Sequence, residues 1–180
     1  RKSLMNYAQS INFQCLLENA NRYIRAFTSG RYDLFRVSTQ QKQDSDDLMS
    51  SSMEMLVTDH QGADEARAVG SLSGGEQFCV SLGLALGLSD LVTGNVTVGT
   101  MFVDEGFDTL DNSYLDNVLN CMQSAKINRQ IGIISHVSAI VDGEMIPQKV
   151  HVERDPRNPA ASLVRGGCVS GRSFVKSVTI

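Results

Sequence analysis

Two apolar runs, Val98–Val103 and Gln130–Ser135, are separated by one amphipathic segment, Asn112–Ala125, and this spacing constrains the fold more than any other feature of the chain. Short apolar runs of this kind read as strands covered on both faces, as in parallel sheets. A parallel pair needs a crossover of a dozen or more residues, and the intervening segment has the length and pattern of a helix, with Asn112 as its expected cap. The predicted unit is strand, helix, parallel strand. It carries Asp104 and Glu105 to the end of the first strand and His136 to the end of the second.

The remaining elements are arranged around that unit. Residues 3–27 place Leu4, Tyr7, Ile11, Leu16, Tyr23, Ile24 and Phe27 at helical spacing up to the stop at Ser29-Gly30. With no initiator Met and no clear cap, this helix reads as cut from a longer chain at the foot of a coiled coil; an ordinary first helix is the other reading. Tyr32–Val37 and Met53–Thr58 alternate as strands do. The polar stretch Ser38–Ser52 reads as a loop, and its Asp44, Asp46 and Asp47 as a solvated acidic turn, since a calcium loop's glycine and ligand spacing are absent. Gly75–Val92 is a Leu- and Ala-rich helix in which Gly83 and Gly87 are placed for close approach of another element. Val150–Glu153 and Ser162–Val164 read as final strands around Pro156 and Pro159.

A chain of 180 residues with 42% apolar side chains can bury one sizeable core. No run is long and apolar enough to span a bilayer, and no signal-peptide core opens the sequence, so a cytoplasmic protein is expected. Cys15, Cys79, Cys121 and Cys168 lie far apart and read as reduced thiols in or near the core. Charge is unevenly spread. Residues 1–42 carry seven basic and two acidic side chains, residues 43–148 three and sixteen, and residues 149–180 six and two. The basic ends, with Arg22, Arg25 and Arg31 at one of them, are candidates to meet DNA phosphates.

The chemistry falls in the acidic block. An apolar strand ending in Asp104-Glu105 is a Walker B pattern, with Asp104 holding Mg²⁺ directly or through water and Glu105 orienting a water for attack on the γ-phosphate of ATP. Ser73-Gly74-Gly75 opens a helix, so its amides and hydroxyl face an incoming phosphate. The segment Gly166–Ser173 nearly fits a P-loop but has Arg172 for the lysine and too few residues behind it for the required helix, so its glycines are expected to form a turn between terminal strands. One half of an ATP site is present.

With the continuation Phe78-x-x-Ser81-Leu-Gly-Leu-Ala-Leu-Gly-Leu-Ser-Asp90, the run Asp104-Glu-Gly-Phe-Asp-Thr-Leu-Asp111 and Ile131-Gly-Ile-Ile-Ser-His-Val137, the chain resembles the ABC ATPases and, among them, the SbcC family. The resemblance is close from Ser71 to Glu153 and weak over residues 1–65. It implies the carboxyl-terminal half of an ABC-type ATPase head, an α/β fold with a mixed, mainly parallel sheet and flanking helices. Residues 1–30 would form the terminal helix at the foot of a coiled coil and 31–180 the lobe itself. It further implies that Ser73, Gly74 and Gly75 cap the nucleotide of a partner head, that Asp111 belongs to the D-loop, and that His136 is the switch histidine. The implied partners are the chain's own amino-terminal half with Walker A, a second head in a homodimer, an SbcD-like metallophosphoesterase nuclease and double-stranded DNA, with no membrane. An SMC-type DNA tether without a nuclease is the alternative, and a transporter ATPase a third.

Overall fold

The computed structural model describes residues 2–36, 55–92, 99–125, 130–143, 145–146, 148–156, 158–168 and 174–178. The expected loop at Ser38–Ser52, with Asp44, Asp46 and Asp47, lies outside them, as do Val37, Met53, Val98 and the Gly171–Ser173 end of the rejected P-loop. The chain divides into two compact units, residues 1–134 and 135–180.

The first unit begins with α1 (Lys2–Phe27), which stops where the sequence says it should. Ser29 and Gly30 both take left-handed backbone, φ 51° and 78°, and the Gly30 amide returns to the Arg25 carbonyl at 2.7 Å, satisfying a carbonyl the helix end leaves orphaned. The stripe it buries is Leu17, Ala20, Ile24 and Phe27. The expected stripe is one position off at Leu16, and Ile11 is exposed, because β1 and α2, rather than periodicity alone, decide which face is covered.

Next come β1 (Tyr32–Arg36), β2 (Met55–Asp59) and a short β3 (Ala66–Ala68), an antiparallel sheet in the order β1-β2-β3. The strand β3 is too short and too rich in Ala to announce itself by pattern. Asn21 ties α1 to β1 with both ends of its amide, donating to the Leu34 carbonyl and accepting the Leu34 amide, each at 2.8 Å. Leu17, Ala20 and Ile24 then join Tyr32, Leu34, Val57, Leu72 and Val80 in one core cluster.

The helix α2 (Gly74–Val92) lies against α1 as its glycines foretell: a Cβ on Gly83 would meet Ile24 Cγ1 at 2.5 Å, and one on Gly87 the Ala20 backbone nitrogen at 2.6 Å. The strands β4 (Thr100–Asp104) and β5 (Gln130–Ile134) pair in parallel, register Thr100↔Gln130 to Asp104↔Ile134, and α3 (Asn112–Ala125) is the crossover. The predicted unit is there, with two corrections. Asp111 rather than Asn112 caps α3, its Oδ1 accepting the Tyr114 amide at 2.9 Å. The strands are not covered on both faces: Phe102 is 70% and Ile134 52% exposed, on one face of the pair, with Gly132 opposite Phe102 and Asp104 opposite Ile134.

The second unit holds a short α4 (Ser138–Val141) and an antiparallel sheet of β6 (Gln148–Asp155), β7 (Asn158–Cys168) and β8 (Phe174–Val178). Gly166 and Gly167 sit within β7, paired with Val150 and Lys149, so the expected glycine turn does not begin there. The α/β class holds, but the expected mixed, mainly parallel sheet does not appear among the described strands: β4 and β5 pair in parallel, and the other two sheets are wholly antiparallel.

Candidate functional site

Asp104 is the last residue of β4 and faces solvent beside the end of β5. Glu105 extends the ladder by one bond, its amide donating to the Ile134 carbonyl at 2.9 Å, then turns the chain with φ 57°, followed by Gly106 at φ 93°. A left-handed non-glycine residue costs of order 1 kcal/mol and persists only where its surroundings demand it. Here it swings the exposed Glu105 off the sheet edge. At Gly106 any side chain is excluded, since a Cβ would strike the Phe78 ring at 2.5 Å.

That contact opens an interlock between the two motifs. Phe107, buried, meets Phe78 of α2 edge to face with centroids 5.0 Å apart. The 3-10 turn Phe107–Thr109 is closed by the Thr109 hydroxyl donating to the Gly106 carbonyl at 2.8 Å, and it covers the start of α2 so closely that a Cβ on Gly75 would come within 2.5 Å of the Thr109 carbonyl oxygen. The structure therefore brings Ser73, Gly74 and Gly75 together with the loop leading from Asp104-Glu105 to Asp111. Ser73 and Gly74 are exposed, whereas Gly75 is buried, so its lack of a side chain is a packing requirement. Asp111 is exposed, and its acid is held below the usual carboxylate range by the Tyr114 amide first and the Ser113 hydroxyl second.

The turn is a capping box. Glu76 returns to accept the Ser73 amide on Oε2 at 2.9 Å, and the Ser73 hydroxyl oxygen accepts the Glu76 amide at 3.3 Å. Helix geometry leaves the amides of Gly74 and Gly75 without intrahelical acceptors, at the positive end of a helix of 19 residues. Sequence reasoning passed over Glu76, although the Ser-x-x-Glu spacing was the available signal.

His136 is exposed and lies two residues beyond Ile134, in the second unit. His60 is exposed and contacts Asp33 at 3.0 Å and Asp64 at 2.8 Å, which raise its pKa, Asp33 more than Asp64. Two of the three candidate DNA-facing arginines are otherwise engaged. Arg25 forks onto Asp33 at 2.5 and 2.8 Å, and Arg31 onto Asp59 at 3.0 and 2.9 Å, while Arg22 is exposed. Of the thiols, Cys79 is buried and pushed up to about 12 by burial, and Cys121 is raised for the same reason.

Among the described residues no three His, Cys, Asp or Glu side chains converge as a metal cluster. Mg²⁺ needs only one or two protein carboxylates when phosphates and water supply the rest, so the exposed Asp104-Glu105 pair fits a nucleotide-bound Mg²⁺. No helix among the described residues is long and apolar enough to cross a membrane.

Comparison with known proteins gives a consistent result. The family profile described as SbcC/RAD50-like, Walker B motif, matches residues 41–124. The chain is 40% identical over 134 residues to the SbcC component of the SbcCD nuclease of Rhodobacter capsulatus, covering 74% of this chain and 10% of that protein. It is 40% identical over 142 residues to the SbcC component from Staphylococcus saprophyticus, 77% and 13%, and 33% identical over 160 residues to that from Pseudomonas aeruginosa, 88% and 12%. It thus spans 10 to 13% of the length of these relatives. Among solved structures, one from work on ATP-driven dimerization and DNA-stimulated activation of SMC ATPases matches with TM-score 0.64 at 12% identity, covering 99% of this chain and 89% of that one. The Smc head domain with an extended coiled coil from Pyrococcus furiosus, bound to the C-terminal domain of ScpA, matches with TM-score 0.62 at 13% identity, covering 94% and 41%. The fold is that of an SMC/ABC ATPase head.

Proposed function

Because the chain belongs to the SbcC/RAD50-like family, we propose that it is the carboxyl-terminal half of an ATPase head in which ATP-driven dimerisation gates DNA access to a partner nuclease. The observation that carries the proposal is the interlock of the Ser73–Gly75 turn with the loop between Glu105 and Asp111, which joins a phosphate-facing helix end to a pair of sheet-edge carboxylates.

The roles follow from placement. Asp104 would hold Mg²⁺, and Glu105, swung off the sheet edge by its left-handed backbone, would orient the attacking water. ATP supplies a transferable γ-phosphoryl group. The Ser73 hydroxyl and the amides of Gly74 and Gly75 present donors to the phosphates of a second head, Asp111 links the two sites across the interface, and His136 contacts the γ-phosphate. Walker A and the remaining phosphate contacts come from the protein's own amino-terminal half. The complex would act on double-stranded DNA in the cytoplasm, with an SbcD-like nuclease doing the cutting.

Ser73→Arg in the full-length protein tests the reading. It should block ATP-driven association of heads while sparing nucleotide binding at concentrations too low for association, because the turn serves the partner's nucleotide. Equal loss of both would refute the cross-head assignment. The likeness of the fold to Smc heads raises a second reading, a DNA tether without a nuclease, but much higher sequence identity to nuclease components favours the first. Co-purification with a metallophosphoesterase separates the two.

A further inference from the structure

Beneath the exposed turn lies a side-chain network that the proposed ATP chemistry does not use. Glu76 divides its carboxylate: Oε2 accepts the Ser73 amide, and Oε1 accepts the Tyr32 hydroxyl at 2.7 Å and Arg31 Nη1 at 3.2 Å. Arg31 sends its other face onto Asp59, Nε at 3.0 Å and Nη2 at 2.9 Å, and Asp59, 7% exposed, also accepts Arg67 Nη1 at 3.3 Å. Two guanidinium groups and two carboxylates balance in charge. Arg31 follows directly on the left-handed Ser29–Gly30 pair, and its amide donates to the Thr28 carbonyl at 3.0 Å. The network therefore joins the end of α1, the start of β1, the end of β2 and the first turn of α2.

We propose that Arg31 is a positioning residue for the phosphate-facing turn, neutralising the Glu76 and Asp59 carboxylates beneath it and tying the end of α1 to the Ser73 cap. This rests on the reading that Ser73 faces the phosphate of a second head. The positive end of α2 attracts an anion with about half an elementary charge, and an uncompensated carboxylate in its first turn would cancel that attraction. The cap requires Glu76, and Arg31 removes the electrostatic penalty of having it there. With the Ser73 oxygen accepting the Glu76 amide, the hydroxyl proton is left to point elsewhere, the polarity that a phosphate oxygen needs.

The experiment uses the full-length protein and measures ATP-driven head association beside nucleotide binding at concentrations too low for association. Arg31→Gln should weaken association about tenfold, the loss of a charge-assisted hydrogen bond, with nucleotide binding unchanged. Adding Glu76→Gln, which keeps a capping-box side chain but removes its charge, should restore most of the loss. Equal loss of both activities, or no rescue, would mean a merely structural brace and overturn the inference. Normal association in Arg31→Gln, with Ser73→Arg still blocked, would overturn it alone; normal association in Ser73→Arg would overturn the reading beneath it. Should Arg31→Gln not fold, Tyr32→Phe keeps the buried ring and removes the hydroxyl that donates to Glu76 Oε1 and also acts on Asp59; association weakened about threefold supports the inference, and unchanged association overturns it.

Discussion

The Cβ position of Gly75 lies 2.5 Å from the carbonyl oxygen of Thr109, a separation that no real side chain could occupy. The obstacle is backbone, so it cannot rotate away. Gly75→Ala must therefore push the Phe107–Thr109 turn off the start of α2. We expect a loss of about 1–3 kcal/mol of stability, the usual cost of overpacking, read by denaturant unfolding. Gly74→Ala, whose Cβ would meet only the Thr109 side chain, at 3.5 Å and beyond, should cost far less. Equal costs would mean that the interlock is loose.

The two glycines that bring α1 and α2 together differ in the same way. Gly87→Ala would press on the Ala20 backbone, whereas Gly83→Ala first meets Ile24 Cγ1, a side chain with some freedom to shift. Each gains about 1 kcal/mol of helix propensity in compensation. Thermal unfolding should rank Gly87→Ala as the more damaging, and the reverse order would place the tightest crossing at Gly83.

Glu105→Gln in the full-length protein should abolish ATP hydrolysis while retaining nucleotide binding and prolonging the closed dimer, because the water-orienting carboxylate is lost and Asp104 is not. The 180-residue chain alone, which has no Walker A, should neither bind ATP tightly nor turn it over. Turnover by the isolated chain that disappears with Glu105→Gln would contradict this directly.

Acid sensitivity should centre on Asp59. The Arg31 guanidinium is the largest influence holding this buried acid below its usual 3.8, at about 2. A depressed folded value means that the stabilisation is complete above the ordinary carboxylate range and is lost as pH falls through about 2. Asp59→Asn should cost about 2 kcal/mol near neutral pH and flatten the decline in stability between pH 4 and 2. His60 works in the opposite sense: its pKa is raised, so its contribution is present below about 6.5 and fades as pH rises through the folded value. His60→Gln should remove that alkaline-side slope in unfolding measurements.

What could be read along the chain was whatever depends on near neighbours. The stop of α1 at Ser29-Gly30, the crossover of β4, α3 and β5, and the Asp104-Glu105 pair at a strand end are properties of period, turn residues and spacing, which do not need a third dimension. The capping box at Ser73 and Glu76 was equally local. Tertiary contact decided the rest. Whether Leu16 or Leu17 is buried depends on where β1 and α2 press upon α1, and one residue is a turn of about 100°. Asp111 rather than Asn112 caps α3, its side chain accepting the Tyr114 amide just after the Phe107–Thr109 turn that Phe78 and Gly75 pin. Phe102 and Ile134 face solvent although they lie in apolar runs, because strand composition does not say which face another element covers. Arg31 and Glu76 are 45 residues apart, and only folding, by bringing β1 beneath the first turn of α2, makes two ordinary surface-type charges into one electrostatic unit.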